Sequence, residues 1–190
     1  MNTIIIKRPN QELLSCNFVI PVGERTLYQN QRLSFAHLIE HLLFHAHPRL
    51  SQYELMIKLE TLGVIINAAT SDYATEVFLR VRKVNLFKAL ELIIEAINSF
   101  SINEETYEKE KAIINLEEKL FREQRLEVFL KNSFRDFYGL TESDEIADYQ
   151  KVCEVYHELY QSKNWSLIII GAIDKDLEKL IINKFGTGKV

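Results

Sequence analysis

Residues 35–44 read Phe35-Ala36-His37-Leu38-Ile39-Glu40-His41-Leu42-Leu43-Phe44, and this spacing of side chains is typical of an amphipathic helix. A helix turns by about 100° per residue, so its apolar side chains share a face that we expect to dock on a core: Phe35, Leu38, Ile39 and Leu42. His37 and His41 lie about 40° apart on the other face. The sequence therefore predicts a helix with one buried face and one histidine face.

The flanking sequence predicts the sheet on which this helix packs. Apolar runs bounded by turn residues predict five strands: Thr3–Lys7, Leu13–Pro21, Val64–Thr70, Thr75–Arg82 and Trp165–Ala172. Pro9 and Asn10 form the turn of the N-terminal strand pair, and the third and fourth strands are expected to be neighbours. Val22–Gln31 is polar and predicts a loop.

Helical spacing accounts for most of the remaining chain. It predicts helices over Arg32–Ala46, Ser51–Leu62, Leu86–Phe100, Ser101–Arg122, Glu127–Tyr138, Asp148–Gln161 and Asp174–Phe185. Pro48 is expected to end the first of these helices, and Gly63 the second. Capping boxes are predicted at Ser51–Glu54 and Ser101–Glu104. These elements predict an α+β fold, with helices packed on a sheet, in a single domain over residues 1–190.

The composition excludes several classes of function. The chain has 190 residues, 47% of them hydrophobic, and a net charge of −4, which gives no electrostatic footprint for nucleic acid or an anionic membrane. We expect no signal peptide, because the N-terminus lacks a long apolar segment, and no membrane span. Cys16 and Cys153 stand in apolar contexts, which favours reduced thiols and a cytoplasmic location.

The histidine face indicates a metal site. His37, Glu40 and His41 form an H-x-x-E-H pattern, in which two imidazoles one turn apart can hold one metal ion and Glu40 can take a proton from water. Zn²⁺ suits two imidazoles with a carboxylate. The alternative is a solvated helix face that happens to carry two histidines.

A third ligand is expected from the acidic helix that follows Ser101. Its candidate carboxylates are Glu104, Glu105, Glu108, Glu110, Glu117, Glu118 and Glu123. Glu110 and Glu117 are seven residues apart and share a helical face, so one can bind metal while the other orients a ligand. Spacing alone leaves Glu117 and Glu118 as alternatives.

Three motifs in order resemble the pitrilysin/insulinase family of zinc peptidases, which includes the mitochondrial processing peptidases. The segment Ala36–Phe44 is similar to the family's A-H-x-x-E-H-x-x-F, and Gly63–Thr70 to its G-G-x-x-N-A-x-T, with Val64 in place of the second Gly. Glu110–Glu117 is similar to its E-x-x-x-x-x-L-E. The resemblance implies a mostly antiparallel sheet with helices packed on one face.

The resemblance also implies roles for individual residues. His37, His41 and Glu117 would bind Zn²⁺, and the candidate catalytic residues are Glu40, as the general base, and Glu110, as a supporting carboxylate. An extended peptide would add to an edge strand formed by Asn67, Ala68, Ala69 and Thr70.

The remaining histidines have no motif of their own. His45 continues the histidine face, about 12 Å along the helix from His37, where the family often has Lys. We expect His45 to be a surface residue rather than a fourth ligand, and His47 and His157 to be structural or exposed.

The sequence also departs from the family. Family proteases usually have a second domain whose Arg and Tyr, seven residues apart, face the scissile bond, whereas no Arg here is followed by Tyr at that spacing. The family's glycine-rich loop is shortened to Phe137–Thr141, and we expect the chain to correspond to the first domain only.

These features predict a zinc-dependent endopeptidase subunit that acts on peptides or small protein precursors. A second pitrilysin-like subunit would complete it, in a heterodimer or, less readily, a homodimer. The alternative is a non-catalytic peptide-binding or assembly subunit of a processing-peptidase-like complex. The intact ligand set favours the enzyme.

Overall fold

The computed structural model describes residues 1–24, 35–122, 133 and 148–186. Five strands are described: β1 (Asn2–Lys7), β2 (Leu13–Ile20), β3 (Ile65–Thr70), β4 (Thr75–Arg82) and β5 (Ser166–Gly171). The described part of the chain also contains the helices α1 (Phe35–Leu43), α2 (Gln52–Thr61), α3 (Leu86–Ser99), α4 (Glu104–Arg122), α5 (Tyr149–Leu159) and α6 (Lys175–Phe185). Short 3₁₀ turns cover Lys83–Asn85 and Ser162–Asn164.

The five strands form one sheet in the order β1-β5-β2-β4-β3. β5 is parallel to β1, while the pairings β2–β5, β2–β4 and β3–β4 are antiparallel. The predicted neighbours β3 and β4 are confirmed. The prediction that β1 and β2 pair with each other is wrong, because β5 lies between them and forms hydrogen bonds with both. β5 is therefore an inner strand, and its alternate residues Leu167 and Ile169 are fully buried.

The helices cover one face of this sheet. Alternate residues of the strands are buried on that face, among them Leu14, Phe18, Val77, Leu79, Leu167 and Ile169. They share one core with the apolar residues of the helices, including Leu38, Leu42, Leu90, Ile93 and Ile181. The other alternate positions are more exposed: Phe78, for example, is 41% exposed. The predicted α+β fold, mostly antiparallel with helices on one face, is confirmed.

Caps set where the helices begin and end, and one predicted cap is wrong. The capping box at Ser51 and Glu54 forms as predicted, with both reciprocal hydrogen bonds. At α4 the side chain of Asn103, not Ser101, accepts from the N–H of Thr106. The N–H of Ser101 donates to the carbonyl of Ala46 instead. That bond joins the entry to α4 with the turn after α1 and so brings the two helices together.

Some boundaries differ from prediction, and some predictions lie outside the described residues. α1 ends at Leu43, several residues before Pro48, and turns follow through Phe44 and His45. Most of the predicted loop Val22–Gln31, the start of the helix predicted from Arg32, the carboxylate Glu123, the helix Glu127–Tyr138 and the shortened loop Phe137–Thr141 are not described, apart from isolated residues. The extent of one domain over residues 1–190 stays a prediction. Within the described ranges, no helix combines the length and apolar character that a bilayer span requires.

Candidate metal centre

The histidine face of α1 lies at the boundary between the core and solvent. The opposite face of α1 is buried through Phe35, Ala36, Leu38, Ile39, Leu42 and Leu43. His37, Glu40 and His41 are half-buried, and the rings of His37 and His41 have centroids 4.8 Å apart. The helix therefore positions two imidazoles side by side with their backbone anchored in the core.

α4 brings a carboxylate to these two rings. Oε2 of Glu117 lies 3.7 Å from Nε2 of His37 and 3.7 Å from Nε2 of His41. One ligand atom from each of these three residues lies within 4.8 Å of the others. Ligands of a tetrahedral zinc, at about 2.0–2.1 Å from the ion, stand about 3.3–3.4 Å apart. The donor atoms present are therefore of the kind that zinc binds, and both distances from Glu117 are within about 0.4 Å of the tetrahedral spacing.

The face of α4 that turns toward α1 explains why Glu117 reaches the site. Tyr107 and Ile114 are fully buried, and Glu110 is largely buried, so residues at helical spacing face the core. Glu117 continues that face toward solvent, with its side chain 48% exposed. The side chain of Glu118, the alternative that spacing left open, is not among those described.

Glu110 contacts two histidines at once. Its Oε2 lies 3.1 Å from Nδ1 of His41, and its Oε1 lies 3.0 Å from Nε2 of His45. A carboxylate accepts hydrogen bonds, so the contact favours the tautomer of His41 in which Nδ1 carries the proton. In that tautomer the lone pair of Nε2 faces Glu117 and is available to a metal. The structure thus places Glu110 where a supporting residue would act.

His45 is not the surface residue that the sequence predicts. Its side chain is only 20% exposed, and it is absent from the three-residue donor cluster found among the described residues. Its spacing of four residues from His41 was the one feature of the sequence that could have placed His45 near the site. That signal was insufficient, because α1 ends before His45 and helical geometry no longer predicts the direction of the side chain.

The predicted base, Glu40, is held by the end of β3. The hydroxyl of Thr70 donates to Oε2 of Glu40 at 2.7 Å, and it lies 3.4 Å from the carbonyl of Ala36. Thr70 thus connects the motif helix with the strand that carries the second motif. The predicted base therefore has one oxygen fixed by the fold.

The four residues Asn67–Thr70 occupy the end of an edge strand. β3 pairs with β4 on one side and is the last strand in the order described. Thr70 faces the helices, whereas Asn67 and Ala69 are exposed. Oδ1 of Asn67 accepts from the N–H of Ala68. The edge position is compatible with strand addition by a peptide, and the substrate-binding role stays a prediction.

A buried pair of hydroxyls near Glu40 was missed by the sequence analysis. The Tyr160 hydroxyl lies 3.1 Å from Oγ1 of Thr75, which donates to the carbonyl of Val22. Burial raises the pKa of Tyr160, and the nearby charge of Glu40 raises it further. No sequence signal identifies this pair, since β4 and the end of α5 are far apart in the chain.

The other titratable groups lie outside the donor cluster. His47 is buried, its Nδ1 accepts from the N–H of Arg49, and burial lowers the pKa of its ring. His157 is exposed on α5. Burial raises the pKa of Cys16 to about 12, and neither Cys16 nor Cys153 forms a disulfide. The cytoplasmic location expected from these thiols stays a prediction.

An H-x-x-E-H helix packed against an acidic helix, on one face of a mostly antiparallel sheet, defines a peptidase-like domain. The sequence matches the family described as Insulinase (Peptidase family M16) over residues 2–146. The chain belongs to this family.

Two curated relatives show how much of a family member the chain represents. It is 23% identical over 199 residues to the beta subunit of the mitochondrial-processing peptidase of Bos taurus, covering 99% of this chain and 40% of that protein. It is 28% identical over 152 residues to the zinc protease PqqE of Helicobacter pylori, covering 73% of this chain and 34% of that protein. The chain thus spans at most about two fifths of the length of either relative.

Solved structures share the fold. A protease from Helicobacter pylori matches with a TM-score of 0.82 and 20% identity, over 98% of this chain and 48% of that chain. The peptidase M16 inactive domain from Pseudomonas fluorescens matches with a TM-score of 0.80 and 9% identity, over 99% of this chain and 50% of that chain. The fold is therefore common to proteins with and without activity, and the residues of the site must distinguish them.

Proposed function

We propose that this chain is the zinc-binding subunit of a metalloendopeptidase that cleaves peptides or small protein precursors and works with a second half supplied by a partner chain. One observation carries the proposal: donor atoms of His37, His41 and Glu117 lie within 4.8 Å of one another. Glu40 stands between the two histidines on the same helix, where a general base is required. The names of the curated relatives, a processing peptidase subunit and a zinc protease, support the same activity.

The residues of the site divide into metal ligands and a base. His37, His41 and Glu117 would hold zinc, which when bound lowers the pKa of water and polarises a carbonyl group. Thr70 holds Oε2 of Glu40. We assign to the other oxygen, Oε1, the role of accepting a proton from water and passing it to the nitrogen of the leaving amine.

The peptide would bind as an extra strand. The outer edge of β3 is unpaired among the described strands, so its backbone groups can bond to an extended peptide. Thr70 lies at the end of this edge and contacts the base, so a peptide bonded to β3 would run toward Glu40. The strand would supply affinity that depends little on the peptide's side chains, because the bonds are made by the main chain.

A second family-like half would cover the open face of the sheet. Phe78 is 41% exposed and Ile65 is 69% exposed on this face. A cavity of about 490 Å³ lies beside them, lined by residues that include Asn17, Asn67, Arg80 and Ile168. The chain covers about half of a related protease chain, which leaves a similar length for the second half. That half would also supply the Arg and Tyr at the family's spacing.

The competing proposal is a non-catalytic peptide-binding or assembly subunit. It is supported by the likeness to an inactive domain of the same family. The two proposals differ in what they require of α1 and α4, since only an enzyme needs three metal donors and a base together. The cluster of His37, His41 and Glu117 favours the enzyme.

The proposal is tested with the Glu40→Gln variant in the presence of a family-like second half, to be sought in the neighbouring reading frames. An amide cannot accept the proton, so we expect zinc content near one per chain and hydrolysis of a quenched peptide library reduced by about a hundredfold or more. The matched control is Glu108→Gln, on the exposed part of α4. Hydrolysis by Glu40→Gln at the wild-type rate would contradict the assigned base, and a wild-type chain without zinc would favour the assembly subunit.

A further inference from the structure

We propose that His45 is a positioning residue for the metal centre, acting through Glu110 to hold His41 with Nε2 available to the metal. The inference rests on the proposed function, because it assigns a role to the surroundings of that same site. It goes beyond the ligands and the base, since His45 contributes no donor atom to the metal cluster.

The contacts form a chain of three residues. Oε1 of Glu110 lies 3.0 Å from Nε2 of His45, and Oε2 lies 3.1 Å from Nδ1 of His41. Each oxygen of the carboxylate therefore faces a different histidine. A carboxylate can only accept, so the hydrogen bond to His41 uses the proton on Nδ1, while Nε2 of His45 stands at ion-pair distance from the other oxygen.

The burial of Glu110 makes its contact with His45 hard to replace. The side chain of Glu110 is 12% exposed, so water has little access to replace a lost partner. Without His45, Oε1 would lose this polar contact in a place where an unsatisfied polar group is costly, and the carboxylate would rotate or draw in water. Either change would loosen the bond that orients His41. Residues in this outer position commonly tune metal affinity.

The backbone holds His45 independently of the carboxylate. The N–H of His45 donates to the carbonyl of Leu42 at 3.0 Å. The carbonyl of the next residue, Ala46, accepts from the N–H of Ser101 at 2.9 Å, and the side chain of Ala46 is buried. His45 thus stands on a turn attached both to α1 and to the entry of α4. The position of His45 is therefore set by the backbone, and His45 can hold the carboxylate of Glu110 in place.

The experiment compares His45→Leu, which removes the donor, with His45→Gln, which keeps an N–H donor of similar reach. His157→Leu is the matched control, because His157 is exposed on α5. Two properties are measured: the tautomer of His41 in metal-free protein, by nitrogen NMR in mildly alkaline buffer, and zinc affinity, by competition with a chelator. We expect His45→Leu to give a mixture of His41 tautomers and to lower zinc affinity roughly tenfold or more. His45→Gln should have a smaller effect, and the control should have none.

A double-mutant cycle separates this role from general packing. In a Glu110→Leu background, His45→Leu should cause little further loss of zinc affinity, because its effect passes through Glu110. The same loss in both backgrounds, or an unchanged His41 tautomer in His45→Leu, would overturn the proposal. If the wild-type chain bound no zinc, the proposed function would fail, while the tautomer of metal-free His41 would still decide the role of His45.

Discussion

The hydroxyl of Thr70 donates a hydrogen bond of 2.7 Å to Oε2 of Glu40. The two residues belong to different sequence motifs, one at the end of an edge strand and one on the histidine helix. The bond couples the strand on which a peptide would lie to the base that would act on it. The orientation of Glu40 thus depends on the register of β3.

Replacement of Thr70 tests this coupling. Thr70→Val keeps the shape but removes the donor, so we expect kcat to fall by about tenfold or more while zinc content stays at the wild-type level. Thr70→Ser restores a hydroxyl and should recover most of the activity. Steady-state hydrolysis of a quenched peptide, with the partner half present, measures the effect. Equal activity of Thr70→Val and wild type would show that the base needs no such support.

The metal ligands are tested by zinc content. His41→Ala removes one of three donors, so we expect most of the zinc to be lost, and Glu117→Gln should weaken binding because a charged ligand becomes neutral. His157→Ala, an exposed histidine outside the cluster, serves as the control. Metal analysis after dialysis against a weak chelator measures the zinc content of each variant. Full zinc occupancy in His41→Ala would rule out the assigned site.

The need for a partner half is tested by comparing the activity of the chain alone with its activity after a family-like second half is added. The chain alone should hydrolyse a quenched peptide library at least about a hundredfold more slowly, because we assign to the proposed second half the orientation of the substrate and the exclusion of water from the site. Full activity of a strictly monomeric chain would defeat this prediction.

The exposed face of the sheet, opposite the helices, is the surface on which we expect the partner half to bind. Phe78→Asp places a charge on the exposed face and should weaken association with the partner while zinc content is retained. Tyr53→Asp, an exposed aromatic on α2, should leave association unchanged. Analytical ultracentrifugation of the mixture distinguishes them. Equal association of both variants would place the interface elsewhere.

The capping box of α2 predicts a pH-dependent contribution to stability. The N–H of Ser51, and then its hydroxyl, donate to Glu54 and lower the pKa of that carboxyl. The stabilisation is therefore fully present above the usual glutamate pKa and is lost as the pH falls through the lowered value. Ser51→Ala should reduce the free energy of unfolding by about 1 kcal/mol at neutral pH.

Urea unfolding across the acid range measures this contribution. Glu54→Gln should lower stability near neutral pH and show a smaller loss on acidification than wild type, because the amide does not titrate in this range. Glu60→Gln, an exposed position on the same helix, is the control. Parallel curves for Glu54→Gln and wild type would contradict the prediction.

The local elements were predictable because their signals lie within a few residues of one another. Apolar periodicity identified every described helix and strand, with ends that differ by a few residues. The capping box at Ser51 and Glu54 and the adjacency of β3 and β4 also depend on short spacings. By contrast, Ser101 did not cap α4, because the helix begins at Glu104 and Asn103 supplies the cap. The N–H of Ser101 bonds instead to Ala46, more than fifty residues earlier in the chain.

By itself, the sequence determined the type of the elements, the histidine pair one turn apart, and the acidic helix from which a third donor was expected. The tertiary structure alone decided that β5 inserts between β1 and β2 and that Glu110 lies between His41 and His45. It also decided that Thr70 holds Glu40. The physical reason is range: periodicity and capping follow from neighbouring residues, whereas strand order and side-chain contacts between elements follow from how the whole core packs.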